Sequence, residues 1–431
     1  MTEKKTVEQA QSWQSLAFVW TGAMICVPSL LVGGTLISGM PLWEAILIAL
    51  LGYGVIVVFM IYQGMQSSDL GIPAVSVASQ VFGEQGSKKI ISILLAIACL
   101  GWFGIQANVC GAAFSQFLGI YGINLPVPVS SLIWGVIMLL SAIYGIRILS
   151  ILNYIAVPIL LFVCIYGLVV SLNNGGLAVV ENYKPAGSMS FMTGLAITIG
   201  SFALGAVIAG DYSQYTKSRK DVVKAAIVGI LPSGVLMIAV GAILALTAGT
   251  ADISVVFTNL GLPVLGIIGL ILAAWTTNAV NAFSGGIAII NVFNISEKYH
   301  KVAVAIAGGL GTVLAVIGIL NHFVPIMSVL SAMVPPVAGV MIASYWIVQK
   351  GDKSKWAPVP GVNWLGVTSW LVGAVIAGIP VILTFFPALP QLPNQPLIGI
   401  ILSLAVYLVG AKVLSGKTNN VENLEENKCV I

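Results

Sequence analysis

The sequence predicts an all-α polytopic membrane protein, a chain that crosses the bilayer many times. Of its 431 residues, 58% are hydrophobic and only 7% are charged, whereas a soluble globular domain carries roughly 25% charged residues. The apolar residues fall in separate runs of about 20, and a helix of that length crosses a bilayer core of roughly 30 Å. These observations exclude a soluble domain. They also exclude a disordered chain, which would be rich in charge.

Polar breaks divide the apolar sequence into twelve runs. We predict 12 transmembrane helices, near residues 16–38, 42–63, 90–114, 127–146, 151–172, 189–210, 222–248, 262–292, 302–320, 323–348, 364–386 and 396–415. The chain then consists of an N-terminal segment (1–15), a first five-helix repeat (16–172), a second five-helix repeat (189–348), two additional helices (364–415) and a charged C-terminal tail (416–431). The segment 64–87 is too polar to span the membrane, so we expect a short amphipathic helix there, packed on the bundle.

The positions of the Lys and Arg residues predict the orientation of the chain. An even number of spans places both termini on one side, and cytoplasmic loops carry an excess of Lys and Arg. Lys184 alone belongs to the opposite side. The side of the membrane that carries both termini holds seventeen Lys and Arg residues: Lys4, Lys5, Lys88, Lys89, Arg147, Lys217, Arg219, Lys220, Lys224, Lys298, Lys301, Lys350, Lys353, Lys355, Lys412, Lys417 and Lys428. We therefore expect a plasma (inner) membrane protein with both termini cytoplasmic.

The middle of the predicted spans contains no Asp, Glu, Lys, Arg or His. Such residues mark proton relays and ion paths in membranes, so a carboxylate proton carrier is not predicted. A coupling cation would be held by backbone carbonyls and hydroxyls, which suits Na⁺, and proton coupling through a water path is the alternative. A substrate bound at this depth should be neutral, because no fixed countercharge is present.

The same composition argues against an enzyme. Catalysis needs groups in mutual reach, but His300 and His322 are the only histidines and belong to opposite sides. The five cysteines show no CxxC spacing, so no metal cofactor is predicted. A channel would need repeated pore-lining groups, which we do not find. A secondary transporter is the function that fits.

Gly and Pro interrupt the first and sixth spans. The interrupting residues are Pro28, Gly33 and Gly34 in the first span and Gly200, Gly205 and Gly210 in the sixth. Breaks at matching positions of two inverted repeats mark the binding site in many transporters. Since these spans open the two five-helix halves, we predict a 5+5 inverted repeat with broken first and sixth helices. The alternative is that these glycines serve close helix packing.

Polar residues in the third and eighth spans suggest a substrate site and an ion site. Trp102 and Gln106 share one helix face, and an aromatic plane beside an amide suits a flat, neutral heterocycle. Ala273, Thr276 and Thr277 could bring one carbonyl and two hydroxyls to a single point, as a hard cation requires. The alternatives are that Trp102 and Gln106 only pack between helices, and that the threonines bond to their own preceding turn.

The chain resembles the nucleobase:cation symporter-1 family. The resemblance rests on VGGTL at 32–36, GWFGIQ at 101–106, GSF at 200–202, GDYSQYTKSRKD at 210–221, WTTN at 275–278 and SAMVPPVAGVMIASYW at 331–346. The family implies a leucine-transporter-like fold, alternating access and Na⁺-coupled uptake of a purine, pyrimidine or related heterocycle. No protein partner or nucleic acid is implied.

The resemblance also implies the site residues. Trp102 and Phe202 would sandwich the base, with Phe202 in the break of the sixth span beside Gly200 and Ser201. Gln106 would bond the base as in hydantoin-type members, and Asn278 or Asn281 would supply a second polar edge. The implied Na⁺ ligands are the carbonyls of Gly22, Ile25 and Ala273 and the hydroxyls of Thr276 and Thr277.

Two positions depart from the cytosine-transporting members. They have Gln where this chain has Cys99, and Ser where it has Leu204. Two contacts to cytosine are thereby lost, while Gln106 adds an amide. From the resemblance as a whole, we expect import of a neutral planar nucleobase of cytosine or purine type by Na⁺ symport. The alternatives are allantoin, hydantoin or hydroxymethylpyrimidine as substrate, or an uncoupled facilitator.

Overall fold

The computed structural model describes residues 11–144, 146–250, 255–256 and 263–428, so most of the predicted N-terminal segment lies outside the described residues. We number the α-helices in chain order. They are α1 Trp13–Met24, α2 Val27–Ile37, α3 Leu42–Leu70, α4 Ala74–Val77, α5 Ser79–Phe82, α6 Glu84–Ile120, α7 Val127–Tyr144, α8 Ile146–Ser171, α9 Leu177–Asn182, α10 Phe191–Val207, α11 Ala209–Ser213, α12 Arg219–Ala248, α13 Pro263–Phe293, α14 His300–Val316, α15 Phe323–Met333, α16 Pro335–Met341, α17 Trp364–Thr384 and α18 Pro396–Lys428.

These helices account for twelve spans. Within the described ranges, nine helices are long and apolar enough to cross a membrane, and α1 and α2 form a tenth span that is bent by 54°. Shorter apolar helices, Pro158–Ser171 and Phe191–Val207, correspond to the fifth and sixth spans. Several helices extend beyond the apolar runs, since polar end residues also adopt helical backbone. The last one continues to Lys428, into the predicted tail.

Pro28 explains the break in the first span. Proline has no N–H, so in a continuous helix the carbonyl of Met24 would have no amide donor at position 28. That carbonyl instead accepts hydrogen bonds from the Cys26 amide at 3.0 Å and the Ser29 hydroxyl at 2.8 Å. Gly33 serves packing, because a Cβ at this position would collide with the Ile238 carbonyl of α12. The proline, and not the glycines, breaks this span.

The sixth span is interrupted at Ile208, nearer its end than the sequence indicated. Helix α10 is continuous from Phe191 to Val207, so Phe202 lies within a regular helix and not in the break. Gly200 packs directly against the Met327 carbonyl of α15, which leaves no room for a Cβ. This glycine is a close-packing residue, the alternative that the sequence left open. Gly210, beyond the break, similarly packs against Ser67.

The helices form two packed groups. The first helix group comprises α1, α2, α3, α10, α11 and α12, and the second comprises α6, α7, α13 and α14. Helices within each group pack extensively, whereas α13 meets α2, and α10 meets α6, over small areas. The tenth span, formed by α15, α16 and a π-helical turn over Ile342–Val348, packs mainly on α10, α17 and α18.

One end of the bundle carries Lys88, Lys89, Arg219 and Lys301, and we call it the basic end. The segment after α3 packs there as two short helices, α4 and α5, with Val77 and Phe82 fully buried. This agrees with the expected short helix, except that the segment forms two short helices and not one. The arrangement closes the basic end between α3 and α6.

A charged cluster joins three spans at the basic end. The Arg219 guanidinium at the start of α12 donates to both carboxylate oxygens of Asp69, at 2.6–2.9 Å, and to the Gly351 carbonyl at 2.7 Å. The Tyr345 hydroxyl donates to the same carboxylate at 2.9 Å, and the guanidinium lies 4.8 Å from the Trp346 ring centroid. The cluster of Asp69, Arg219, Tyr345 and Trp346, called the Asp69 cluster below, ties the second, seventh and tenth spans together.

Candidate functional site

The predicted substrate residues of α6 and α10 belong to different helix groups. Trp102 and Gln106 come from α6 in the second group, and Ser201, Phe202 and Leu204 come from α10 in the first. Trp102, Ser201, Phe202 and Leu204 are half-buried, although they lie in the middle of membrane-spanning helices. Since α10 and α6 touch only over a small area, a compact ligand between them would contact both groups.

Gln106 is the most informative residue of this site. Its side chain is 1% exposed, and neither its amide oxygen nor its amide nitrogen has a hydrogen-bond partner. A buried polar group without a partner costs about 1–3 kcal/mol, so native proteins almost always satisfy such groups. An amide left free beside Trp102 is therefore placed to bond a ligand.

The two predicted sandwich aromatics each contact another ring in this structure. Trp102 meets Phe323 of α15 edge to face, with ring centroids 6.1 Å apart. Phe202 lies over Gly205 and meets Trp20 of α1 edge to face at 6.4 Å. In an edge-to-face contact one ring presents its edge and the other its face, so each of these two aromatics keeps at least one face that its partner ring does not cover. Phe323 was not predicted, because an aromatic residue at the start of an apolar run gives no periodic signal.

Cys99 and Leu204, the two departures, lie in apolar surroundings. Cys99 is buried, and its Cβ lies close to Gly285 of α13. Leu204 is half-buried and packs against the hydrophobic core. Ser201 donates its hydroxyl hydrogen to the Thr198 carbonyl at 2.7 Å, so its oxygen can still accept a hydrogen bond. Ser201 therefore offers a hydrogen-bond acceptor on α10, in the other helix group from Gln106.

The side chain of Asn278 already has hydrogen-bond partners within the protein. Its amide nitrogen donates to the Phe103 carbonyl at 2.9 Å and contacts the Met138 sulfur at 3.2 Å, and its oxygen accepts from Asn281 at 3.2 Å. The side chain is fully buried. These bonds tie α13 to α6 and α7, so Asn278 holds the second helix group together. Asn281, which is half-buried, is the better placed of the two to meet a ligand.

The predicted ion ligands of the eighth span converge as expected from their spacing. The hydroxyls of Thr276 and Thr277 both donate to the Ala273 carbonyl, at 3.1 and 2.9 Å. Both hydroxyl oxygens thus lie within hydrogen-bonding distance of the same carbonyl oxygen. Without a cation this is the local back-bonding typical of Thr in membrane helices. With a cation, the hydroxyl hydrogens would rotate away and the oxygens would face the ion.

The break in the first span leaves two of the predicted ligand carbonyls outside the regular hydrogen-bond pattern of a helix. In a continuous helix the Cys26 amide would bond the Gly22 carbonyl, but it bonds Met24 instead. The Ile25 carbonyl precedes the N-cap of α2 and therefore lies outside the hydrogen-bond ladder of that helix. Helix α2 contacts α13. The donor set consists of neutral oxygens, which fits a hard cation such as Na⁺.

Comparisons with known proteins agree with this architecture. A family model described as "Permease for cytosine/purines, uracil, thiamine, allantoin" matches residues 4–392. Cytosine permease of Escherichia coli (strain K12) is 30% identical over 94% of this chain and 92% of its own length. The hydantoin permease of Microbacterium maritypicum is 24% identical over 84% of this chain and 80% of its own length.

The structural comparison confirms the predicted fold. The inward-facing conformation of Mhp1 matches with a TM-score of 0.78 and 22% identity, covering 95% of this chain and 93% of that one. This is the leucine-transporter-like architecture of two inverted five-helix repeats and two further helices. The matches to permeases indicate a multi-pass transporter and not an enzyme. The chain belongs to the nucleobase:cation symporter-1 family, the permeases for cytosine, purines, uracil, thiamine and allantoin.

Proposed function

We propose that this protein imports a neutral, planar nucleobase of the cytosine or purine type, coupled to Na⁺, by alternating access. The observation that carries the proposal is the buried, unpartnered amide of Gln106 on the same helix face as Trp102. The similarity to cytosine permease over nearly the whole chain supports the substrate class. The excess of Lys and Arg at the basic end supports an orientation with both termini in the cytoplasm.

The chemistry of the site defines what the substrate must offer. The amide of Gln106 provides an acceptor and a donor side by side, so it pairs with a ring that presents a donor next to an acceptor. Cytosine, the purines and lactam rings all do. Trp102 and Phe202 would stack on the two faces of such a ring, and Ser201 would accept from its far edge. No charged side chain of the site demands a charged ligand.

Na⁺ would bind between the broken first span and the eighth span. The carbonyls of Gly22 and Ile25 belong to the first helix group, and the oxygens of Ala273, Thr276 and Thr277 belong to the second. An ion bound by both groups stabilises the arrangement in which they are correctly spaced. If the base prefers the same arrangement, each ligand raises the affinity of the other by an equal factor.

Thermal stabilisation of the purified protein tests the proposal. The panel is cytosine, uracil, adenine, guanine, hypoxanthine, hydroxymethylpyrimidine, allantoin and hydantoin, each in Na⁺ or in choline. A ligand well above its dissociation constant raises the melting temperature by mass action. We expect a shift for one base that is larger in Na⁺. No shift with any compound would contradict nucleobase transport, and equal shifts in both salts would contradict Na⁺ coupling.

A Thr277→Ala variant tests the ion site itself. We expect this variant to lose most of the Na⁺ stimulation of substrate binding and to retain binding in choline. Thr247→Ala is a matched control, because Thr247 also donates to a carbonyl of its own preceding turn but lies far along α12. Unchanged Na⁺ stimulation in Thr277→Ala would remove the proposed ion site.

A hydantoin, allantoin or hydroxymethylpyrimidine substrate is the second candidate. Gln106 favours it, because hydantoin-type members of the family have an amide at this position, and a hydantoin permease is among the relatives. The ligand panel separates these compounds from the nucleobases. An uncoupled facilitator would instead show uptake into proteoliposomes that is independent of the sodium gradient.

A further inference from the structure

Trp20 is the most deeply buried tryptophan of the described residues, and it lies in α1 shortly before the break of the first span. Its side chain is 3% exposed. The start of this side chain packs on Gly229 of α12, where an added Cβ would lie 2.7 Å from the Trp20 Cβ. The hydroxyl of the neighbouring Thr21 donates to the Gly229 carbonyl at 3.3 Å. Helix α12 therefore holds the backbone of Trp20 in place.

The indole of Trp20 contacts the sixth span on both sides of its break at Ile208. Before the break it meets Phe202 of α10, with ring centroids 6.4 Å apart and ring planes at 90°. After the break it meets Tyr212 of α11, at 4.9 Å and 65°. Within the described ranges, α1 packs extensively on α12 but not on α10 or α11. One side chain therefore makes both described ring contacts between the first and sixth spans.

Two neighbours act on the ring of Phe202 in different ways. The ring lies over Gly205, where an added Cβ would be 2.6 Å from it, so this glycine leaves room for the ring but has no side chain to orient it. Trp20 can orient it, because the charge distribution of aromatic rings favours particular angles between them. An aliphatic side chain in place of the indole would fill space without any preferred angle.

We propose that Trp20 is a positioning residue that holds the Phe202 ring in the orientation that stacks on the base. This inference rests on the proposed aromatic sandwich of Trp102 and Phe202. A ring that is already oriented loses less conformational freedom when the base binds, so affinity increases without any contact between Trp20 and the base. Tyr212 contacts the same indole and supports it, so its contribution to affinity should be smaller.

The effect of Trp20 should not depend on the cation. The proposed ion ligands Gly22 and Ile25 follow Trp20 in the first span, but α12 already holds the Trp20 backbone through Gly229. Removing the indole should therefore weaken base binding by the same factor in Na⁺ and in choline. This separates Trp20 from Thr277, whose replacement should act on the Na⁺ stimulation alone.

Trp20→Leu is the principal test of this inference. The probe is the compound of the ligand panel that gives the largest thermal shift, and isothermal titration measures its dissociation constant in both salts. We expect affinity to fall by about fivefold in each, which corresponds to about 1 kcal/mol for one aromatic pair. Trp20→Phe, which keeps a ring at this position, should regain most of the loss. Full affinity in Trp20→Leu, or a loss confined to Na⁺, would overturn the inference.

Trp346→Leu is the matched control. Trp346 also meets two rings edge to face, Tyr62 at 5.4 Å and Tyr345 at 5.1 Å, but it lies at the basic end. We expect its replacement to lower the melting temperature and to leave affinity unchanged. A general loosening of the bundle would lower affinity in both variants and would overturn the inference, whereas a positioning effect appears only in Trp20→Leu.

Tyr212→Leu keeps the inference testable even if Trp20→Leu does not fold. Tyr212 is 41% exposed, so replacing it opens no cavity in the core, and the indole loses one of its two ring partners. We expect affinity to fall by about twofold in both salts. Unchanged affinity would show that the indole needs no support from α11 and would contradict the proposed chain of ring contacts.

Phe202→Leu and the double variant Trp20→Leu/Phe202→Leu complete the test. Loss of the stacking ring should lower affinity by about 30-fold. If Trp20 acts through Phe202, the double variant binds no more weakly than Phe202→Leu, and a further loss would overturn the positioning role. Full affinity in Phe202→Leu, or no binding of any panel compound to the wild-type protein, would contradict the proposed function as well. A loss in Phe202→Leu with full affinity in Trp20→Leu would overturn the inference alone.

Discussion

Asp69 at the basic end is half-buried and Gln106 in the middle of the third span is buried, and the surroundings of these two polar residues differ. The Asp69 carboxylate accepts hydrogen bonds from Arg219 and Tyr345, whereas both amide atoms of Gln106 lack a partner. The first arrangement is complete within the protein and contributes to its stability. The second is incomplete, and a ligand can complete it. Gln63 is also buried without partners, so an unsatisfied amide points to the candidate site only together with a neighbouring aromatic residue such as Trp102.

Replacing Gln106 by Leu should have the largest effect, because it removes the unpartnered amide that distinguishes this position from Asp69. We expect substrate affinity to fall by on the order of 100-fold, about 3 kcal/mol, because two hydrogen bonds are lost and the polar edge of the base is left unpaired. The melting temperature of the ligand-free protein should rise, since an unsatisfied amide is removed. Gln63→Leu is the matched control, because Gln63 is also buried without partners. It should stabilise the protein without altering affinity, and loss of binding there would contradict our assignment.

Replacing Trp102 by Ala tests the stacking half of the site. Stacking of a base on an aromatic side chain contributes about 1–3 kcal/mol, so we expect affinity to fall by about 30-fold, with Trp102→Phe retaining most of it. Isothermal titration measures both. Trp370→Phe serves as the control, since its indole bonds the Met333 carbonyl in another part of the bundle. Full affinity in Trp102→Ala would exclude the aromatic sandwich.

The Asp69→Asn variant tests how much the hydrogen bonds of the Asp69 cluster contribute to stability. Arg219 and Tyr345 would then face a neutral acceptor, and we expect a loss of about 1 kcal/mol of stability, because the Arg219 side chain is 43% exposed and solvent screens the pair. Substrate affinity of the folded protein in Na⁺ should remain unchanged. The two quantities come from thermal unfolding and from ligand titration. A fall in affinity without a fall in stability would show that this region belongs to the binding site.

The smallest expected effect concerns the exposed carboxylate of Asp352, at the same end of the bundle, and the pH dependence of stability. Bonds from Ser354, with a weaker contribution from Lys355, lower the pKa of Asp352 below its ordinary value. A lowered pKa stabilises the fold above the unfolded-state pKa, near pH 4, and this contribution is lost as the pH falls through the folded-state pKa. Asp352→Asn should therefore reduce the difference in melting temperature between neutral and acidic buffer slightly. An unchanged difference in Asp352→Asn would contradict the lowered pKa of this carboxylate.

The sequence was sufficient for the architecture but not for the local cause of each irregularity. Twelve spans and a break near Pro28 follow from hydropathy and from the missing proline N–H. Gly33 and Gly200 could not be assigned, since glycine both interrupts helices and allows close packing. Only the structure shows that each lies against a carbonyl, of Ile238 and Met327 respectively. The break of the sixth span was therefore expected too early in the helix.

The geometry of the candidate site was predictable where residues share one helix and unpredictable where residues meet across helices. The spacing of Ala273, Thr276 and Thr277 was enough to place three oxygens together. Asn278 was expected to face a ligand, but it bonds Phe103 of another helix. Tertiary contacts of this kind are not encoded in spacing.

The tenth span contacts both the Asp69 cluster and the candidate site at Trp102. Near one end, Phe323 contacts Trp102, and near the other Tyr345 bonds Asp69. The 22 positions from Phe323 to Tyr345 correspond to about 33 Å at the rise of an α-helix. If this span tilted as a unit about the Asp69 cluster, a tilt of about 5° would displace the Phe323 end by about 3 Å. That distance is about the thickness of an aromatic ring, so a small tilt would open or close space for the proposed flat substrate beside Trp102.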